Sequence, residues 1–116
     1  MVDDLKTEDY CVTYDANASI ITISGSLRLN GMEEYLPVTQ LLEQALNLNP
    51  PLSTLDLREL NFLNSSGINV LSKSTISVRK QAHTQLVVRG SRSTPWQSKS
   101  LKNLQRLMSS LELQWD

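Results

Sequence analysis

One cysteine, one histidine and one phenylalanine stand among 116 residues, and no apolar run is long. Cys11 alone cannot close a disulfide within the chain, and His83 alone rules out a site built from several histidines. No stretch approaches the roughly 20 apolar residues that a bilayer crossing needs. The opening Met1-Val2-Asp3-Asp4-Leu5 lacks the basic patch and apolar run of a secretory signal. There is no glycine-rich phosphate loop, and no Gly-x-Ser-x-Gly elbow of the serine hydrolases. The expectation is a cytoplasmic protein with no membrane segment, no cofactor, no metal site and no catalytic residue. Its length allows one domain and one core.

Charge is nearly balanced at −1 but unevenly placed. Residues 1–59 hold ten acids against three bases, whereas residues 60–111 hold eight bases and no acid. A folded form should therefore show a basic side to acidic partners. Nucleic acid is not expected among them: the bases are spaced, the chain is slightly acidic and aromatics are few.

The apolar pattern alternates between strand and helix periods. Residues 1–9 read as a polar, acid-rich N-terminal segment that frays, and residues 10–116 as the domain. Tyr10–Tyr14 and Ser19–Ser24 are strand-forming runs around Asp15-Ala16-Asn17-Ala18, a hairpin signal, with Gly25 breaking the second strand. Met32 to Asn47 carries Tyr35, Val38, Leu42 and Ala45 at helical spacing, widened by Leu41 and Leu46. Pro37 fits its first turn or kinks it, and Asn49-Pro50-Pro51 stops it. Thr54–Leu57 is a short strand. A second helix opens at Asn64-Ser65-Ser66 and turns Ile68, Leu71, Thr75 and Val78 inward. Gln85–Arg89 is a strand ended by Gly90. A third helix follows Thr94-Pro95 and buries Leu101, Leu104 and Met108. Leu111–Trp115 alternates as a closing edge strand with Trp115 in the core. The order ββαβαβα(β) predicts an α/β domain, a mixed sheet begun by a hairpin and covered by helices.

Polar chemistry concentrates at the second helix start. Asn64, Ser65 and Ser66 can each accept from the unpaired N–H groups of a first turn, and Gly67 allows close approach to the backbone. Phosphate on Ser65 or Ser66 would add about −1.5 to −2 charge where the helix dipole favours it. The plain alternative is a helix cap with no regulatory role.

Leu55-Asp56-Leu57, Phe62-Leu63, Ser65-Ser66-Gly67 and Val70-Leu71 together resemble the signature of the STAS family, the domain of bacterial anti-sigma factor antagonists. There a strand leads through an apolar loop into Asp-Ser-Ser-Gly and a helix, and the element order over residues 10–115 fits as well. The resemblance implies a non-enzymatic partner switch. A serine kinase of anti-sigma type phosphorylates the first serine of the pair, and a metal-dependent serine phosphatase reverses it. By position the phosphoacceptor is Ser65, with Ser66 the second candidate, and the partner-binding set is Asn64, Ser65, Ser66, Gly67, Asn69 and Lys73. Asn64 departs from the family's aspartate, which removes one negative charge beside the acceptor. Two other readings fit: a non-phosphorylated STAS-like scaffold subunit of a larger signalling assembly, and a small-ligand-binding domain.

Lys73, Arg79 and Lys80 on the second helix, with Lys99, Lys102 and Arg106 on the third, read as a basic apron beside Ser65 or as a solvated face. Trp96 is either packed over the sheet edge or an exposed interface anchor. Cys11 reads as core packing, and His83 as a neighbour of the second helix's carbonyl end.

Overall fold

The computed structural model describes residues 4–48, 50–81 and 83–116. Its elements are β1 Leu5–Lys6, β2 Tyr10–Asp15, β3 Ile20–Leu27, α1 Gly31–Glu34, α2 Leu36–Leu46, β4 Leu52–Asp56, β5 Leu60–Leu63, α3 Ser65–Gln81, β6 Gln85–Gly90, α4 Pro95–Leu107 and β7 Glu112–Trp115. The sheet runs β1-β2-β3-β4-β6-β7, and β5 pairs with the far end of β3. The first three strands are antiparallel and the remaining pairings parallel. Each crossover from β3 onward steps outward in the same direction, so right-handed connections put α2, α3 and α4 on one face. There they lie side by side. The expected mixed α/β architecture and its closing strand are present.

The hairpin turns because Asp15 Oδ1 accepts the Asn17 and Ala18 N–H groups, at 3.0 and 3.3 Å. Ser19 then takes a left-handed φ of 56° and belongs to the turn, so β3 begins at Ile20. Alternation sends Ile21, Ile23, Leu55, Leu86 and Val88 toward the helices, where they meet Val38, Leu42, Val78, Leu101 and Leu104. Tyr35, Leu41, Ala45, Leu46, Leu71, Thr75 and Met108 are buried as their spacing predicts, while Ile68 is half-buried.

Five expectations are corrected. Gly25 does not end its strand. Its φ of +91° and close approach to Asp9 and Tyr10 admit no side chain, and β3 bends there and continues to Leu27, changing partner from β4 to β5. Phe62-Leu63, matched to the family's apolar loop, belong to that partner strand, Leu60–Leu63. Leu5–Lys6 adds a short edge strand where fraying was expected, pinned by the Thr7 hydroxyl, which accepts the Asp9 and Tyr10 N–H groups. The single helix from Met32 divides at Tyr35, and Pro37 falls in the first turn of α2, where its missing N–H costs nothing. Cys11 is half-buried and pairs with Ser24, which places it on the helix-free face of the sheet and outside the core. Asn49 and Met1–Asp3 lie outside the described residues. Among the described residues no helix is long and apolar enough to cross a membrane.

Candidate functional site

β5 delivers the chain to Asn64 at the carboxyl end of the parallel strands, and α3 starts at the next residue. The sequence offers three residues able to cap that helix, and one of them does the work. Asn64 Oδ1 accepts the Gly67 N–H at 3.0 Å and the Tyr35 hydroxyl at 2.6 Å. Asn64 Nδ2 donates to the Leu29 carbonyl at 2.7 Å. The Asn64 carbonyl also accepts the first intrahelical bond, from Ile68 N–H at 3.0 Å. One amide thereby ties α3 to the β3–α1 loop and to the α1–α2 junction.

This explains asparagine at the position. An aspartate could receive the Gly67 and Tyr35 donors, but its second oxygen would face the Leu29 carbonyl with no proton between them. Tyr35 is fully buried, and burial pushes its phenol above the ordinary value, which keeps the hydroxyl a donor. Its proton is also within reach of the Leu27 carbonyl at 3.2 Å. Gly67 is required by the same packing. A Cβ there would meet Leu63 Cγ and the Tyr35 hydroxyl oxygen, each at 2.8 Å. The close approach that Gly67 permits is therefore made by the chain itself.

With Asn64 engaged, the serines beside it have no structural duty. Ser65 is exposed and Ser66 half-buried, and neither hydroxyl has a hydrogen-bond partner among the described residues. Ser65, Asn69 and Lys73 follow one another at four-residue spacing and are all exposed, a single stripe along α3. Lys73 borders a depression of about 230 Å³ between α2 and α3, whose lining includes Met32, Glu43 and Val70. Met32 is 38% exposed, so an apolar side chain lies beside the polar stripe.

The basic apron is not gathered at Ser65. At 1.5 Å per residue, Lys73 lies about 12 Å along the helix axis from Ser65 and Arg79 about 21 Å. Arg79 instead reaches the end of α4, donating to the Leu107 carbonyl at 2.9 Å. Trp96 proves to be packed, with its indole N–H donating to the Leu60 carbonyl at 3.2 Å. Trp115 is half-buried at the sheet edge, and His83 is exposed just beyond α3.

Three residues at this end of the sheet have roles that the sequence reading did not assign. Gln97 is fully buried, its amide N–H groups donating to the Leu57 and Leu60 carbonyls at 2.7 and 3.0 Å and its oxygen accepting Ser91 N–H at 2.7 Å. Phe62, 39% exposed, lies under the Arg28 guanidinium at 4.5 Å, a cation–π contact. The available signal for Phe62 was its standing as the only phenylalanine, just after polar Asn61. Asp56 forms an ion pair with Arg58 at 2.8 Å. Burial alone would raise the Asp56 carboxyl, but hydrogen bonds from Arg58 outweigh it and hold the group below the usual carboxylate range.

Three solved structures overlay nearly the whole chain. A chain of the complex of diguanylate cyclase SiaD with its activator SiaC from Pseudomonas aeruginosa matches at TM-score 0.73 and 17% identity, over 97% of this chain and 98% of that one. SiaC of Pseudomonas aeruginosa matches at 0.70 and 18%, over 99% and 100%. An anti-sigma factor antagonist from Mycobacterium paratuberculosis matches at 0.69 and 18%, over 95% and 90%. The chain has the STAS-like fold. At these identities the likeness establishes fold. The sequence matches no protein-family model and none of the curated proteins compared with it.

Proposed function

We propose that the chain is a non-enzymatic regulatory module that binds other proteins and is switched by phosphorylation of Ser65. The observation that carries this reading is the division of labour at the start of α3. Asn64 holds the helix, while the Ser65 hydroxyl is exposed and free of hydrogen bonds to the described residues. A serine needed as a cap could not be modified without loosening the helix; this one can. Ser66, half-buried, is the second candidate.

The Ser65 Oγ attacks the terminal phosphorus of a nucleoside triphosphate held by a partner kinase. Its proton passes to the kinase base and the nucleoside diphosphate leaves; a serine phosphatase restores the hydroxyl by hydrolysis. The phosphate brings about −1.5 to −2 charge. It lands on the first residue of α3, where the dipole is favourable, beside a neutral Asn64 that adds no repulsion. Lys73, about 12 Å along the axis, lies on the same exposed stripe, and its single charge offsets only part of the phosphate's. The interface formed by Ser65, Ser66, Asn69, Lys73 and Met32 thus changes sign locally without a change of fold. A protein partner is also favoured by the fold's company, since the matched structures are named as an antagonist of an anti-sigma factor and an activator of a cyclase. Action in the cytoplasm accords with a cellular kinase and phosphatase.

The test is partner affinity, with the partner recovered from the protein's own cells on immobilised Ser65→Ala protein. Unmodified and Ser65→Ala chains should bind alike, and Ser65→Glu or enzymatically phosphorylated chain at least about tenfold more weakly. Equal affinity across all forms would contradict the switch.

A further inference from the structure

We propose that the edge formed by α4 and β7 is a docking groove for an extended acidic segment of a partner protein. The proposal uses none of the residues around Ser65 and stands apart from that reading.

Charge is the first ground. Lys99, Lys102 and Arg106 are exposed on α4 at spacings of three and four residues, which aligns them on one side of the helix. α4 contains no acidic residue. Among the described residues the only ion pair is Asp56–Arg58, so these three cations have no carboxylate partner. Arg106 makes only a 3.4 Å contact with the Asn103 side-chain oxygen, a neutral group.

Shape is the second. A shallow depression of about 500 Å³ is lined by Lys102, Gln105 and Arg106 from α4 and by Leu113 and Trp115 from β7. It adjoins another of about 260 Å³ through the shared Lys102 and Arg106, which extends it along α4 past Lys99. Cations flank an apolar floor, and Gln105 is anchored on the Leu111 carbonyl at 3.2 Å.

The sheet supplies the third. β7 is the terminal strand and pairs only with β6, so its outer edge presents unpaired backbone N–H and C=O groups. A peptide strand laid along it would satisfy them and send alternate side chains over the depression, toward Lys102 and Arg106. Acidic residues at those alternate positions fit the cations, and neighbouring aliphatic residues fit Leu113 and Trp115. Nucleic acid offers anionic charge but no peptide backbone for the strand edge, so the observations favour protein.

The test selects a phage-displayed random-peptide library on the full chain and maps the selected peptides by amide chemical shifts. Enriched sequences should combine aspartate or glutamate with aliphatic residues. They should shift amides of α4 and of residues 111–116, and bind at least about tenfold more weakly to Lys102→Glu/Arg106→Glu. A Lys102→Ala/Arg106→Ala chain with an unchanged melting temperature should lose affinity in the same direction. Selected peptides without acidic enrichment, binding to both double variants as tight as to the unaltered chain, or shifts confined to other surfaces would overturn the proposal. So would tighter binding of a DNA oligonucleotide at the same amides, or the same shifts arising from self-association at high protein concentration.

Discussion

α3 and α4 begin at the same end of the sheet, and each is fastened there by one amide side chain, yet the two starts face the solvent differently. At α3 the amide is Asn64, placed before the helix and holding Gly67, Tyr35 and Leu29. At α4 it is Gln97, inside the first turn and holding Leu57, Leu60 and Ser91, while Thr94 makes no side-chain cap. Their serines diverge as a result. Ser91 and Ser93 bond each other at 2.7 Å, whereas Ser65 and Ser66 have no partner among the described residues. The α4 start is closed on itself, and the α3 start displays an exposed serine on a helix held by something else. Both ends contain serine; the hydrogen bonds around it decide which one is left without a structural task.

Breaking the anchors should expose that contrast, and Gln97 should matter most. Gln97→Leu removes one donor from each of the Leu57 and Leu60 carbonyls, which keep the Leu60 N–H and the Trp96 indole N–H, and leaves the buried Ser91 N–H without a partner. The expected cost is about 3 kcal/mol in denaturant unfolding. A loss below about 0.5 kcal/mol would mean that water replaces the amide. Asn64→Asp should cost less, about 2 kcal/mol, because two of three bonds survive and one becomes a repulsion with the Leu29 carbonyl. If the aspartate form were equally stable, the explanation of asparagine at that position would fail.

The smallest effect concerns the turn that Gln97 grips. Asp56, just before Leu57, is held below the ordinary carboxylate value by its bonds from Arg58. A depressed folded-state value means that the stabilisation is complete above about pH 4, the unfolded value, and disappears as pH falls through the folded one. Asp56→Asn should therefore melt slightly lower at neutral pH, with the difference closing in acid. A gap that widened in acid would have the wrong sign for this pairing.

Much of this arrangement was legible in the sequence because it depends on local period. The hairpin, the α2 core positions from Val38 to Leu46 and the start of α3 at Ser65 all follow from spacing and turn residues. What escaped depends on distant partners. Asn64 gets its meaning from Leu29 and Tyr35, 35 and 29 residues away, and Gln97 from Leu57 and Leu60, 40 and 37 residues away. A buried glutamine between Trp96 and Ser98 in the first turn of a helix carries no local mark. β5 was hidden for another reason: two of its four residues are exposed, so neither alternation nor an apolar run announces it. Gly25 misled because glycine commonly ends strands, and here its left-handed φ bends one.

The most direct measurement is phosphosite mapping of the chain purified from its own cells, by intact mass with and without phosphatase and then by peptide fragmentation. The account predicts one phosphatase-sensitive phosphate, located on Ser65, under at least one growth condition. An unmodified Ser65 under every condition, or a phosphate confined to other residues, would contradict it.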